Sequence, residues 1–152
     1  MATRREMLLR SAQVAGLLAG AGLLPATAQA AWNKAAFEAK NLADAAKALG
    51  SGAPAESKDV TITGPDIAEN GAVVPVGAAT TLAGVKQLLL LVEKNPNVLA
   101  AVFDVSDAVE PAFNTRVKMG QSSNVFAVAV MNDGRTLYAV KEIKVTLGGC
   151  GG

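Results

Sequence analysis

The residue with the clearest chemistry stands third from the end of the 152-residue chain. It is Cys150, the only cysteine, set in Gly148-Gly149-Cys150-Gly151-Gly152. Four glycines around one thiol predict an arm with no side-chain bulk and a nearly unrestricted backbone. Cys150 lies three residues beyond Leu147, so its reach past that residue is roughly 10 Å at about 3.3–3.6 Å per residue. That distance suits pushing a sulfur into a narrow cleft and is too short to span two enzymes. A lone exposed thiol forms mixed disulfides, persulfides and oxyacids. No Lys, Arg or His flanks it, and Lys144 is six residues away. Cys150 therefore reads as an attachment point activated by whichever enzyme holds it. The plainer readings are an incidental cysteine in a Gly-rich tail, or one that crosslinks two chains into a dimer.

Composition excludes most other chemistry. The chain has no histidine, which removes Ser-His-Asp and Cys-His catalysis, His-ligated zinc and an axial-His haem held by this chain. One cysteine excludes an internal disulfide, a CxxC pair and a Cys-rich metal site. No resident cofactor or metal is expected. With 14 basic and 13 acidic residues, the net charge of +1 gives no footprint for nucleic acid.

Residues 1–30 read as an address. Arg4-Arg5 precede an apolar, Ala/Gly-rich run from Val14 to Leu24, and Ala28-Gln29-Ala30 offers a cleavage site after Ala30. The paired arginines resemble a twin-arginine signal and predict a periplasmic destination; an ordinary secretory signal or an uncleaved anchor is the alternative. The apolar run is shorter than the ~20 residues of a membrane span, so no membrane association is expected of the mature form. Cleavage removes Arg4, Arg5, Arg10 and Glu6, leaving 122 residues with 11 basic against 12 acidic side chains, a net −1. The positive charge belongs to the signal. The periplasm is oxidising, so an unpaired thiol there suggests chemistry or intermolecular bonding.

The elements that must position the arm follow. Residues 31–57 are expected to form one helix, capped by Asn33 and ended by Gly50, then a linker from Ser51 to Pro54. Phe37, Leu42, Ala45 and Leu49 form its narrow apolar stripe. Residues 58–147 read as about seven short strands. Those expected are at 59–63, 72–76, 87–93, 98–105, 115–119, 124–131 and 135–147, with turns at Gly64-Pro65, Asn70-Gly71, Asn95-Pro96-Asn97 and Asp133-Gly134. Pro75 confines its strand to an edge or bulge. Leu88–Val92 is ambiguous between strand and buried helix. In the last strand Ile143, Val145 and Leu147 point one way. The fold class expected is mainly β, an immunoglobulin-like antiparallel sandwich with an N-terminal helix and a flexible carrier arm at residues 148–152. The runs Val98–Phe103 and Phe126–Val130 are apolar on both faces. Small Ala and Val are tolerated on the surface, the helix covers them, or one such face binds a partner subunit.

The chain resembles the SoxY family of sulfur carriers in bacterial thiosulfate oxidation. Three segments carry the resemblance: Lys141–Gly152 with its terminal GGCGG, Ile67–Val76 (IAENGAVVPV) and Arg116–Asn124 (RVKMGQSSN). The resemblance implies an immunoglobulin-like sandwich paired with a SoxZ subunit. It implies that Cys150 holds the cargo covalently and that Gly148, Gly149, Gly151 and Gly152 form its arm. It further implies that SoxAX joins thiosulfate to Cys150 as an S-thiosulfonate, and that SoxB releases sulfate and leaves a persulfide. SoxCD, where present, then oxidises the outer sulfur. Haem, manganese and molybdenum would belong to those partners, and the chain would be a carrier, not an enzyme. Two other classes stay open on the residues alone. One is a thiocarboxylate carrier using the terminal Gly151-Gly152, against which an export signal argues. The other is a non-carrier periplasmic module crosslinked through Cys150.

Overall fold

The computed structural model describes residues 4–10, residue 13 and residues 33–147. The chain divides into two units, Met1–Trp32 and Asn33–Gly152. In the first, residues 4–10 are helical. Arg4 and Arg5 fall in that segment; Ala30 and the arm 148–152 lie outside the described residues. Among the described residues no helix is long and apolar enough to cross a membrane.

The second unit opens with two short helices, α1 (Lys34–Phe37) and α2 (Leu42–Ala48), where one continuous helix was expected. Asn41 is the reason. Its backbone is extended, and its side chain accepts the Asp44 amide at 2.8 Å, capping a second helix. The break frees the Ala39 carbonyl to accept the Val98 amide and lets Lys40 Nζ donate to the Pro96 carbonyl at 2.7 Å. Asn33 caps α1 as expected, its side chain accepting the Ala36 amide, and Gly50 follows α2 at φ +74°.

Nine strands follow among the described residues: β1 (Pro54–Glu56), β2 (Val60–Thr63), β3 (Ile67–Asn70), β4 (Val74–Thr80), β5 (Val85–Val92), β6 (Leu99–Asp104), β7 (Ala112–Val117), β8 (Ser123–Met131) and β9 (Thr136–Leu147). The larger sheet runs β1-β9-β8-β5-β6, with β3 also on β9; the smaller runs β2-β4-β7. The architecture is mainly β, two sheets facing across one core, as the immunoglobulin-like expectation has it. The expected linker is not bare, because Pro54 begins β1. Both unexpected strands, β1 and β3, are three or four residues long and pair parallel to β9, at residues 136–138 and 144–147. Their pairing adds a parallel element to the expected antiparallel sandwich. Segments that short carry too little alternation to show in sequence.

Leu88–Val92 is strand, in the interior of the larger sheet. The run is uniformly apolar because both faces are covered. Leu88, Leu90 and Val92, with Val125, Ala127 and Ala129, face Val60, Val74, Val76 and Ala78 of the smaller sheet. Leu89, Leu91, Val128 and Val130 face Ala36, Ala39 and Ala45 of the helical segment. The helices therefore cover the outer face that the sequence left open. Small Ala residues let the short helices sit close, while Phe37, Leu42 and Leu49 pack at the margin, half-buried. Pro75 lies in the central strand of the smaller sheet. Its neighbour β2 pairs only with residues 77–80 of β4, so Pro75 is paired with β7 alone, and that side is an open edge.

Candidate functional site: the root of the C-terminal arm

Cys150 and Gly148, Gly149, Gly151 and Gly152 lie outside the described residues. What the structure shows is the platform from which they leave. β9 carries the chain to Leu147 with the alternation its sequence requires: Ile143 is fully buried and Val145 packs on the core, while Glu142 and Lys144 are turned away from it.

The last residues of β9 are held on both edges. On one side the Val145 amide donates to Ser122 Oγ at 2.9 Å, and that hydroxyl lies 3.5 Å from the Val145 carbonyl. On the other, the Lys144 amide donates to the Asp66 carbonyl at 3.0 Å, and β3 pairs Ile67 with Lys144, Ala68 with Val145 and Asn70 with Leu147. Successive amides of a strand point to opposite edges, so β3 lies on the edge of β9 away from β8. The Thr146 hydroxyl adds a bond to the Glu69 carbonyl at 3.1 Å.

Around this root three loops meet. Beyond β3, Asn70 Oδ1 accepts the Ala72 amide at 2.8 Å and fixes the Asn70-Gly71 turn, with Val73 exposed. The Gly71 carbonyl then accepts the Met119 amide at 2.7 Å, joining this turn to the loop between β7 and β8. That loop is tied in turn to the β5–β6 connection. Asn95 Nδ2 donates to the Lys118 carbonyl at 2.7 Å, its Oδ1 accepts from Gly120, and the Lys94 amide donates to Ser123 Oγ at 3.0 Å. Met119 is fully buried beneath these loops and plugs the end of the core.

The segments 67–76 and 116–124, distant in sequence, thus adjoin each other and the last residues of β9. The described parts of all three segments singled out in the sequence meet at one end of the sandwich. Two features there were not anticipated: the clamp of Ser122 on Val145 and the strand β3. Ser122 and Ser123 were visible as polar residues just ahead of an apolar strand, the one signal available.

Near the root, on β9, Lys141 Nζ lies 2.6 Å from Asp66 Oδ1. The hydrogen bond from Lys141, and after it the lysine's charge, hold the exposed Asp66 carboxyl below its ordinary value. At the opposite end Asp133 is lowered by the backbone amide of Arg135 and then by its side chain.

Comparison with known proteins places names beside this geometry. The family model described as sulfur oxidation protein SoxY matches residues 45–150. Among solved structures, the sulfur carrier protein SoxY from Chlorobium limicola f thiosulfatophilum is similar at 35% identity and a TM-score of 0.60, covering 67% of this chain and 92% of that one. A superoxide reductase (neelaredoxin) from Ignicoccus hospitalis is similar at 21% identity and a TM-score of 0.51, covering 57% of this chain and 78% of that one. That second likeness is one of fold alone. No curated protein matches the chain.

Proposed function

This chain belongs to the SoxY family and is a sulfur carrier of sulfur oxidation that works among Sox proteins, and from that premise we propose that it carries its cargo covalently on Cys150. The observation that supports this most is the construction of the arm root. β9 is held on both edges as far as Val145 and by β3 on to Leu147, and beyond it the sequence is four glycines and one cysteine. A fixed platform with a slim, roughly 10 Å extension delivers a sulfur into a narrow active site. The carrier body docks outside and only the arm enters.

The chemistry of each step falls to the enzymes that receive the arm. An oxidising partner of the SoxAX type joins thiosulfate to the Cys150 sulfur as an S-thiosulfonate. The thiolate and thiosulfate lose two electrons together, and one S–S bond forms. A hydrolase of the SoxB type then adds water to the terminal sulfone sulfur, releasing sulfate and leaving a persulfide on Cys150. SoxCD, where the cell has it, oxidises that outer sulfur. Haem, manganese and molybdenum reside in those enzymes, and this chain supplies the nucleophile and its presentation. A SoxZ subunit pairs with the sandwich. Arg4-Arg5 direct export by the twin-arginine route, with cleavage after Ala30, so that the mature chain works in the periplasm.

Intact-mass analysis of the protein from cells fed thiosulfate tests the reading. Thiosulfonate or added-sulfur masses on Cys150, absent from Cys150→Ala, are expected. A thiocarboxylate on Gly152, or only a Cys150 disulfide dimer under every sulfur source, would overturn it.

A further inference from the structure

Both sheets end on the same side of the sandwich. β6 is the last strand of the larger sheet and β7 the last of the smaller. Phe103 of β6 stacks on Phe113 of β7 with ring centroids 4.6 Å apart, closing the core between them. Proteins ordinarily blunt such edges with very short strands, proline or positive charge. The far edge of the larger sheet follows that rule: β1 is three residues long and begins with Pro54. β7 carries Arg116. β6 has none of these devices. It reads Leu99-Ala100-Ala101-Val102-Phe103-Asp104, and its one charge, Asp104, accepts a bond from Gln87 Nε2 at 2.8 Å.

Register identifies the free backbone groups of β6. The Val105 amide donates to the Lys86 carbonyl of β5 at 3.0 Å. Bonding alternates along an antiparallel pair, so Phe103 and Ala101, opposite Leu88 and Leu90, also bond to β5. The amides and carbonyls of Val102 and Asp104 point the other way. Among the described residues nothing bonds to them. The register shift between Leu90 and Leu91 leaves Ala101–Asp104 as the regular part of the strand. A free backbone row of this kind accepts another extended chain. The charges along the edge select which chain. At the start of β6 lie Lys94 and Lys40, the latter bonded to the Pro96 carbonyl, and β7 returns to that end with Arg116 and Lys118. At the other end lie Asp104, Asp107 and Glu110, all exposed. Among the described residues none of these seven forms an ion pair. Lys86 and Glu93 are the exceptions to the pattern, one at each end, and Glu93 is engaged by Asn124 Nδ2 at 3.0 Å. An edge positive at one end and negative at the other complements itself when a copy is turned end for end.

We propose that β6 is a docking edge for a second copy of this chain, the two β6 strands pairing antiparallel about a two-fold axis. Val102 lies opposite Val102 of the second copy, each donating its amide to the other's carbonyl, and the larger sheets join into one. The acidic end of each copy then meets the basic end of the other. Parallel pairing would set like charges together at both ends. The inference goes beyond the carrier reading and is independent of the chemistry at Cys150. The charges are exposed, so salt weakens the association.

Sedimentation velocity on the full protein tests this, with reductant present to exclude a disulfide through Cys150. Twice the mass of one chain is expected at high protein concentration, falling to one chain on dilution. Hydrogen exchange at the Val102 and Asp104 amides should be slow in the dimer and fast after dilution, while Ala101 and Phe103, bonded to β5, stay slow in both. Reversing the acidic end (Asp107→Lys with Glu110→Lys) or the basic end (Lys94→Glu with Lys118→Glu) should leave single chains. An equimolar mixture of the two variants should regain the dimer, because one is then positive at both ends and the other negative. That recovery also reports that both variants fold. A single-chain mass for the parent at every concentration, a dimer whose Val102 and Asp104 amides exchange freely, a dimer of either variant alone, or a mixture that stays as single chains overturns the proposal. Amides that slow only when a different Sox subunit is added would assign the edge to that subunit and overturn self-pairing.

Discussion

Val145 donates its amide to the hydroxyl of Ser122 at 2.9 Å, two residues before the last described position of β9. β8 pairs with β9 only as far as Ile143, so this side-chain bond continues the ladder where backbone pairing on that edge has stopped. Ser122→Ala removes it and leaves the Val145 amide half-buried without a partner. A loss of about 1 kcal/mol is expected. Faster amide exchange at Val145 and Thr146 should accompany it, with β8 unchanged. Denaturant titration and hydrogen exchange measure both, and unchanged exchange at Val145 would show that β3 alone holds the root.

That clamp marks where sequence reading stops. The arm at 148–152 lies outside the described residues, and its reading rests on sequence alone, on a cysteine among four glycines that has no packing explanation. The long strands β8 and β9 were legible too, from an apolar run and from alternation, whereas the apolar run of β5 was equally compatible with a buried helix. The covering of those runs by α1 and α2 was one of three readings the sequence allowed, since Ala36, Ala39 and Ala45 look the same on a helix that packs and on one that does not. The break at Asn41 was missed, although Asn41 with Asp44 three residues on is a capping signal, because good helix formers surround it. β1 and β3 were missed because parallel pairing to a distant strand is set by topology, and three or four residues carry no period of their own. The convergence of 67–76 with 116–124 depends on hydrogen bonds such as Met119 to Gly71 that link residues far apart in sequence.

The two faces of β5 give a paired prediction. Leu90 and Leu91 are both essentially unexposed, Leu90 against the smaller sheet and Leu91 against the helices. Either change to Ala should cost about 2–5 kcal/mol. They should differ in place: Leu91→Ala should speed amide exchange in Leu42–Ala48, and Leu90→Ala should not beyond its global effect. Equal local exchange in both variants would mean that the helices do not depend on that face.

The pair Asp66–Lys141 predicts a direction with pH. The Asp66 carboxyl is held below its ordinary value by the Lys141 hydrogen bond and charge. The folded state therefore binds this proton less readily than the unfolded chain does. The pair's contribution is present above the unfolded carboxylate's pKa and is lost as pH falls through the folded one. Asp66 is exposed, so the contribution is small and salt-sensitive. Asp66→Asn should be slightly less stable than the parent at neutral pH and equal to it in strong acid. A stability gap that grows on acidification would contradict the ion pair.

Thr136 opens β9 with its hydroxyl buried and no hydrogen-bond partner among the described residues, in a side chain only 1% exposed. Its register partners are Pro54 of β1 and Val130 of β8, neither of which offers a side-chain acceptor. Burying an unsatisfied hydroxyl costs about 1–3 kcal/mol, while valine has nearly the same shape and a stronger preference for strand. Thr136→Val should therefore raise stability by about 1 kcal/mol, seen as a higher denaturant midpoint with an unchanged slope. The site lies at the end of the sandwich opposite the arm root, since β9 runs from one to the other. Loading of Cys150 should accordingly be identical in the variant. A fall in the midpoint would mean that the hydroxyl has a bonding partner, such as a bound water, whose loss outweighs the relief of burial.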